Sequence, residues 1–388
     1  MSAPLDHARG RHENRRVMSR SRPIPPFADE HEVFRARARA FVAAELAPKA
    51  PEYEQAEWFP NEVFLRCGEE GYLGLKYEER YGGTGGGYLA DAVWTEELAR
   101  CGSGGLSASL GAHTSIATPP IWKFGSEEVK RRYLVPAIRG EKVGALGITE
   151  PDAGSDVAGI RTRAERVEGG FVVNGEKTFI TNGVRADFIV TAVKTTGDGG
   201  HHGLSFLVVD RGEGVTSSKL RKLGWHASDT ATIAFADVFV PDEHLLGELN
   251  RGFYLIMANL QWERLLMALG AVGGMAGLLE RLVAHMRGDG VSQAKRHRVA
   301  EIAVALEAGR DLTYHALRLF AAGQDAVREV TMAKLATQRA AFHAADAALD
   351  LVGDEPDLAR AARDTRLGPI GGGTDEIMKE ILGKSLGL

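Results

Sequence analysis

The sequence predicts an α+β multidomain protein built from an N-terminal helical domain, a small central antiparallel β-barrel or sandwich, and a C-terminal four-helix bundle. Three changes of hydrophobic period carry this expectation. Apolar residues recur at helical spacing from Phe27 to about Gly140, alternate in twos between Arg161 and Val240, and return to helical spacing in long segments after Gly252. The expected boundaries follow: a leader over 1–24, helices over 25–140, the β domain over 141–246 and the bundle over 247–388.

Each element has its own signals. In the first domain the helical runs Glu32 to Leu46 and Ala90 to Arg100 are separated by the glycine-rich break Tyr81 to Gly87. In the β domain, Arg161–Val167 leads through a Gly169-Gly170 turn to Phe171–Val173. An Asn174-Gly175 turn then leads to Lys177–Ile180, and further strands are expected at Phe188–Lys194, Leu204–Val209 and Ala231–Val240. The bundle helices are Phe253–Met286, Gln293–Ala322 and Ala326–Leu351, long and amphipathic with short connections. No internal repeat or low-complexity segment interrupts them.

The bulk numbers exclude several classes. With 388 residues, 44% hydrophobic and 26% charged, the chain is long enough to bury more than one core. A net charge of −5 gives no overall basic field for nucleic acid, although Arg9, Arg11, Arg15, Arg16, Arg20 and Arg22 make the leader locally basic. That leader reads as flexible rather than as a transit peptide, because Asp6 and Glu13 interrupt it and no apolar core of a secretory signal is present. The two cysteines, Cys67 and Cys101, cannot form a disulfide framework, which fits a reducing cytoplasm. No run is expected to reach the roughly 18 apolar residues of a membrane span, and the histidines lack metal-ligand spacing, so no membrane association and no metal are expected.

The run Leu146-Gly147-Ile148-Thr149-Glu150-Pro151-Asp152-Ala153-Gly154-Ser155-Asp156 joins a strand to a glycine-containing loop. On its own chemistry this is either a plain turn or a loop whose backbone N–H groups face an anion or a planar ring. Followed by Val157-Ala158-Gly159-Ile160, it resembles the signature of the acyl-CoA dehydrogenase family. Three further segments resemble that family in order: Phe179-Ile180-Thr181-Asn182-Gly183, then Lys222-Leu223-Gly224-Trp225 with Ser228-Asp229-Thr230, then Arg363-Asp364 through Gly373-Thr374-Asp375-Glu376-Ile377. The resemblance runs from about residue 27 to the C-terminus.

The resemblance implies FAD as cofactor and an acyl thioester as substrate. It places Thr181 at the hydroxyl that hydrogen-bonds flavin N5 and Phe179 beside the isoalloxazine ring. Ile148 and Thr149 fall at the pyrimidine end of the flavin, Ser155 where phosphate and substrate meet, and Thr374, Asp375 and Glu376 in an FAD-contacting segment. A donor held at N5 stabilises charge that develops as hydride arrives there.

Removing a proton from Cα of a thioester requires a carboxylate held in a dry site. In many members of the family that Glu immediately precedes the Gly-Thr pair; here the position is Gly372. Isovaleryl- and long-chain-type members carry the base on the first long bundle helix, where this sequence has Leu260-Gln261-Trp262-Glu263-Arg264. The resemblance therefore implies Glu263 as catalytic base, with Arg264 holding the site together and Tyr254, nine residues earlier, contacting substrate. The thioester carbonyl would rest on backbone N–H groups near Gly372 and Gly373. The product would be a trans-2-enoyl thioester, with electrons passing to an electron-transferring flavoprotein.

Two segments depart from the family. Met286-Arg287-Gly288-Asp289-Gly290-Val291-Ser292-Gln293 is shortened and keeps only Gln293 of the usual FAD contacts, and Asp350 to Pro356 keeps only Gly353. The departures suggest weakened FAD binding, or a specialised branch, dehydrogenase or oxidase, that takes acyl-carrier-protein thioesters rather than acyl-CoA, or a non-catalytic member. The resemblance also implies a homo-oligomer, tetramer or dimer.

Overall fold

The computed structural model describes residues 23–196, 201–287 and 290–388. The leader expected over 1–24 falls, as far as residue 22, outside the described residues. The first domain contains α1 (Asp29–Phe41), α2 (Ala50–Ala56), α3 (Glu62–Glu69), α4 (Gly87–Leu98), α5 (Gly104–Ala112), α6 (Thr118–Phe124), α7 (Glu127–Val129) and α8 (Val135–Ile138). The second holds β1 (Gly144–Gly147), β2 (Arg163–Val167), β3 (Gly170–Ile180), β4 (Phe188–Lys194), β5 (Leu204–Asp210), β6 (Val215–Lys219), β7 (Ala231–Pro241) and β8 (Leu245–Leu246). The bundle is formed by α9 (Gly252–His285), α10 (Gln293–Ala321) and α11 (Val327–Val352), with the shorter α12 (Pro356–Asp364) and α13 (Asp375–Ser385) packed on α11.

The strands form one sheet in the order β6-β7-β3-β2-β4-β5-β8, with β1 pairing on β4. It is antiparallel except where β1, and the first residue of β2, run parallel to β4. That exception arises because β1 enters from the helical domain and reaches β2 only through the loop 148–162, a crossover rather than a hairpin. β4 and β5 are buried on both faces. Phe188 and Val190 pack towards Tyr133, Leu134 and Leu255, while Ile189 and Val193 face Phe171, Val209 and Phe235. Such strands read as continuous apolar runs rather than alternations.

Two expectations are corrected. Asn174-Gly175 is not a turn, because β3 passes straight through it and slips register against β7 between Val173 and Gly175. Gly175 sits at φ 148, and a Cβ there would lie 2.5 Å from Thr162 Oγ1, so the dipeptide makes a bulge where another segment crosses closely. The second correction concerns α9, which is long and apolar enough to cross a membrane by length and composition, with a mean hydropathy of 1.5 in its most apolar window. In the fold, 61% of that window is buried against α4, α10 and α11. A helix covered on most sides is apolar nearly all round for that reason.

Candidate active site

The site is built on the middle of α9. Leu255, Ile256, Asn259, Trp262, Leu265, Leu269 and Val272 recur three or four residues apart and are buried, which fixes the rotation of the helix. Trp262 is clamped between Tyr88, with ring centroids 4.6 Å apart, and Phe320, at 5.5 Å. Its neighbour Glu263 therefore emerges beside this core rather than in it, and is half-buried. Among the described residues no donor lies within hydrogen-bond distance of the Glu263 carboxylate. Burial pushes its pKa up, opposed only in part by Arg264. An isolated carboxylate of raised basicity is what proton abstraction requires and what a merely structural Glu avoids.

Arg264 is buried, and its Nε has no partner. Burial lowers its pKa and Glu263 raises it. A Cβ built on Gly373 would lie 3.7 Å from both Nε and Nη2 of this guanidinium, and one on Gly372 would lie 3.2 Å from Cγ of Met267, one turn along α9 from Glu263. The glycine segment before α13 thus abuts the turn of α9 that carries Glu263. Gly372 and Gly373 both have left-handed φ, 63° and 94°. The backbone N–H groups of Gly372, Gly373 and Thr374 have no acceptor among the described residues. Three successive free N–H groups in such a turn form a concavity for a partly negative oxygen.

Thr374 caps α13 by accepting from the N–H of Ile377 at 3.3 Å. Asp375 is buried and accepts from Arg339 Nε at 2.6 Å, while Glu376 is exposed, its carboxyl held low first by its own backbone N–H and then by the Thr374 hydroxyl. Asp375 is therefore occupied and Glu376 solvated. Neither competes with Glu263 for the role of base.

A second face lies at the ends of β1 and β3. Phe179 is 70% exposed and sits at φ 59, within a second register slip between Lys177 and Ile180. A left-handed aromatic residue inside a strand is strained, and here the slip leaves its ring at the surface. Thr181 follows, half-buried. Thr178 N–H donates to the Thr149 carbonyl at 2.8 Å, and Lys177 Nζ donates to the Ile148 carbonyl at 3.1 Å and to Glu150 at 2.7 Å. Ile148, Thr149, Phe179 and Thr181 are thereby brought together. Ser155 lies exposed on the loop that follows, which the Glu150–Ala153 bridge closes at its base. An exposed aromatic ring beside a half-buried hydroxyl and a fastened strand end fits a planar, hydrogen-bonding ring such as isoalloxazine.

Other expected residues are not gathered at Glu263. Tyr254 is 51% exposed in the first turn of α9, with Arg251 over its ring at 4.5 Å; nine residues leave it half a turn out of phase with Glu263. Gln293 is exposed at the start of α10, with His297 alone nearby at 3.5 Å. It lies past the far end of α9, whose 22 residues from Glu263 to His285 span about 33 Å. Gly288 and Asp289 lie outside the described residues. The two departing segments prove to be neighbours: His285, Arg287, Ser292 and Lys295 line one groove with Leu351 and Val352, and Lys295 donates to the Leu351 carbonyl at 3.0 Å.

Sequence reasoning missed α11. Lys334 donates to the Gly373 carbonyl at 2.7 Å, Gln338 to the Met267 carbonyl at 2.5 Å, and Arg339 to Asp375. One and a half turns of α11 tie the glycine segment to the helix that bears Glu263. Buried Lys and Gln at a four-residue spacing inside an otherwise apolar helix face were the available signal.

Comparison with known proteins agrees with this architecture. Family models match residues 28–141 as the acyl-CoA dehydrogenase N-terminal domain, 145–238 as its middle domain and 250–387 as its C-terminal domain. The chain belongs to the acyl-CoA dehydrogenase family. Members of that family use FAD to dehydrogenate acyl-CoA thioesters. The chain is 34% identical over 376 residues to the mitochondrial isovaleryl-CoA dehydrogenase of Solanum tuberosum, covering 93% of this chain and 91% of that one. It is also 34% identical to the mitochondrial long-chain specific acyl-CoA dehydrogenase of Mus musculus, over 93% of this chain and 87% of that one. A probable acyl CoA dehydrogenase from Mycobacterium abscessus has a similar structure, with TM-score 0.89 and 39% identity, covering 92% of this chain and 99% of the other.

Proposed function

We propose that Glu263 removes the α-proton of an acyl-CoA whose thioester oxygen rests on the N–H groups of Gly372, Gly373 and Thr374. The observation that carries the proposal is the unpartnered, half-buried Glu263 carboxylate on the turn of α9 that abuts this glycine segment. Hydrogen bonds to the carbonyl oxygen would stabilise the enolate-like charge and acidify the α-carbon. Glu263, made more basic by burial, takes the proton. Arg264, buried next to Glu263 on α9 and close to Gly373, would hold the site together by packing and by its charge beside the Glu263 carboxylate.

Phe179, Thr181, Ile148 and Thr149 would hold the ring of FAD, with Thr374, Asp375 and Glu376 as further contacts, and the bound cofactor would supply the two-electron acceptor for the β-hydrogen. Ser155, exposed on the loop after β1, and Tyr254, exposed in the first turn of α9, would contact substrate away from the reacting carbons. The product is the trans-2-enoyl thioester. An electron-transferring flavoprotein in the cytoplasm would then reoxidise the enzyme. Assembly into a homo-oligomer is supported by α10, where Val304 is 69% exposed between Ala300, Ala305 and Ala308 along a shallow apolar groove. The test is anaerobic flavin reduction across a panel of acyl-CoA chain lengths. Bleaching by at least one acyl-CoA, with the enoyl-CoA recovered, is expected, and no bleaching by any of them would refute the proposal.

A further inference from the structure

Lys334 is a buried cation in the interior of the bundle. Its side chain is fully buried, and burying an ammonium is unfavourable unless a counter-ion compensates. The carboxylate that faces it, Asp375, is 4.0 Å away and already accepts from Arg339 at 2.6 Å. Lys334 spends its short bond on a neutral acceptor instead, the Gly373 carbonyl at 2.7 Å. Burial lowers its pKa, Asp375 raises it, and Arg264 across the loop lowers it further. The groups around it are therefore Asp375 and Glu376 on α13, Arg264 on α9 and Arg339 on its own helix, with Glu263 beyond Arg264.

A role confined to packing would not need this arrangement, since a methionine of nearly equal volume would fill the space without a charge to desolvate. The position of the bond says what the charge does. The Gly373 carbonyl belongs to the peptide whose N–H is that of Thr374. That peptide is trans, so fixing its oxygen towards α11 turns its N–H the opposite way. An ammonium on the oxygen also polarises the peptide and strengthens its N–H as a donor. The neighbouring N–H groups of Gly372 and Gly373 likewise have no acceptor among the described residues, and their glycine backbones have no side chain to hold them in place.

We propose that Lys334 is a positioning residue for the reaction: through the Gly373 carbonyl it fixes and polarises the Thr374 N–H and so holds in place the segment whose Gly372–Thr374 N–H groups receive the thioester oxygen. This rests on the assignment of that segment as the thioester cradle. Lys334 touches neither substrate nor cofactor.

The test uses the FAD-loaded full chain and a 3-thiaacyl-CoA, which can lose its α-proton but has no β-hydride to give. Its deprotonated form beside the oxidised flavin absorbs at long wavelength, and titrating that band reports the acidity of the bound α-carbon without turnover. Lys334→Met, which removes the donor at nearly equal volume, is expected to weaken ionisation about tenfold, one pKa unit, with flavin content and melting temperature close to wild type. Lys334→Gln, a neutral donor about one bond shorter, should fall between the two, and it carries the test alone if the methionine variant does not fold. Wild-type ionisation in either variant overturns the proposal, as does a glutamine variant no better than methionine. A wild-type protein that binds the analogue but never develops the band overturns the cradle assignment, and this inference with it.

Discussion

Replacing Glu263 by Gln isolates the proposed base, because the amide keeps the shape of the side chain and removes only its basicity. General-base catalysis by a positioned carboxylate contributes about 10²–10⁴ in rate. The structure favours the upper part of that range, since no substitute is at hand: Gly372 offers no carboxylate, Asp375 is held by Arg339, and Glu376 is solvated. Flavin reduction should slow by about 10³-fold or more, a barrier increase of about 4 kcal/mol. Stability should move the other way. The folded-state pKa of Glu263 is raised above its unfolded value, so its ionised form opposes folding: the contribution is most favourable at acid pH and is lost as pH rises through the raised pKa. At neutral pH Glu263→Gln should therefore melt at or above the wild-type temperature, the pairing of lost activity with gained stability expected when a site carries a destabilised group. Anaerobic stopped-flow bleaching of the flavin band, with calorimetry on the same preparations, measures both. Bleaching within tenfold of wild type would remove Glu263 from the mechanism; slow bleaching with a collapsed melting temperature would show that the residue supports the fold instead.

Further outcomes follow from the same geometry. The acid limb of kcat/KM should lie above the ordinary glutamate value of about 4.3, and the Glu263→Gln variant should lose that limb. Gly372→Glu in the Glu263→Gln background should restore part of the reduction rate. The gain should be limited because a non-glycine residue at φ 63 costs roughly 1–2 kcal/mol and its Cβ meets Met267, so adding Met267→Ala should raise the recovery. FAD retention is expected to be poor: each charge-assisted anchor lost from the 287–293 and 350–356 segments costs roughly 1.5–3 kcal/mol, so losing one or two weakens binding about ten- to ten-thousand-fold. The flavin-to-protein absorbance ratio should fall below one per chain on dialysis, and melting temperature should rise when FAD is added back; a tightly held equimolar FAD would show that other residues replace those anchors.

Much of the fold was legible because it rests on period. The long helices of the bundle and the strands β4, β5 and β7 present uninterrupted patterns, and those patterns decide which face is covered. What misled was local chemistry overridden by tertiary contact. Asn174-Gly175 has the composition of a hairpin turn, yet Thr162 crossing against it makes it a bulge within one strand. α9 has the composition of a membrane span because packing against α4, α10 and α11 and burial in lipid ask the same thing of a helix surface. The site divides along the same line. Glu263 and Phe179 were reachable from motif and position, but their distinguishing properties, an isolated carboxylate and a left-handed exposed ring, exist only in three dimensions.

The residues that join the two halves of the site were invisible for a further reason. Lys334, Gln338 and Arg339 belong to no motif that touches substrate; their partners are carbonyl groups and a carboxylate on α9 and at the start of α13. A glycine segment that offers three free N–H groups cannot hold its own shape, because the absence of side chains that exposes those donors also removes the means of fixing them. Rigidity must come from a neighbouring helix, and the side chains that supply it must reach backbone in a buried place, where a long donor such as Lys or Gln is needed. With Glu263 as the proposed base, the departure from the usual motif at Gly372 shifts the demands on the rest of the molecule: the base would move to α9, and α11 would have to hold the two elements in one register for the proton to be taken at all.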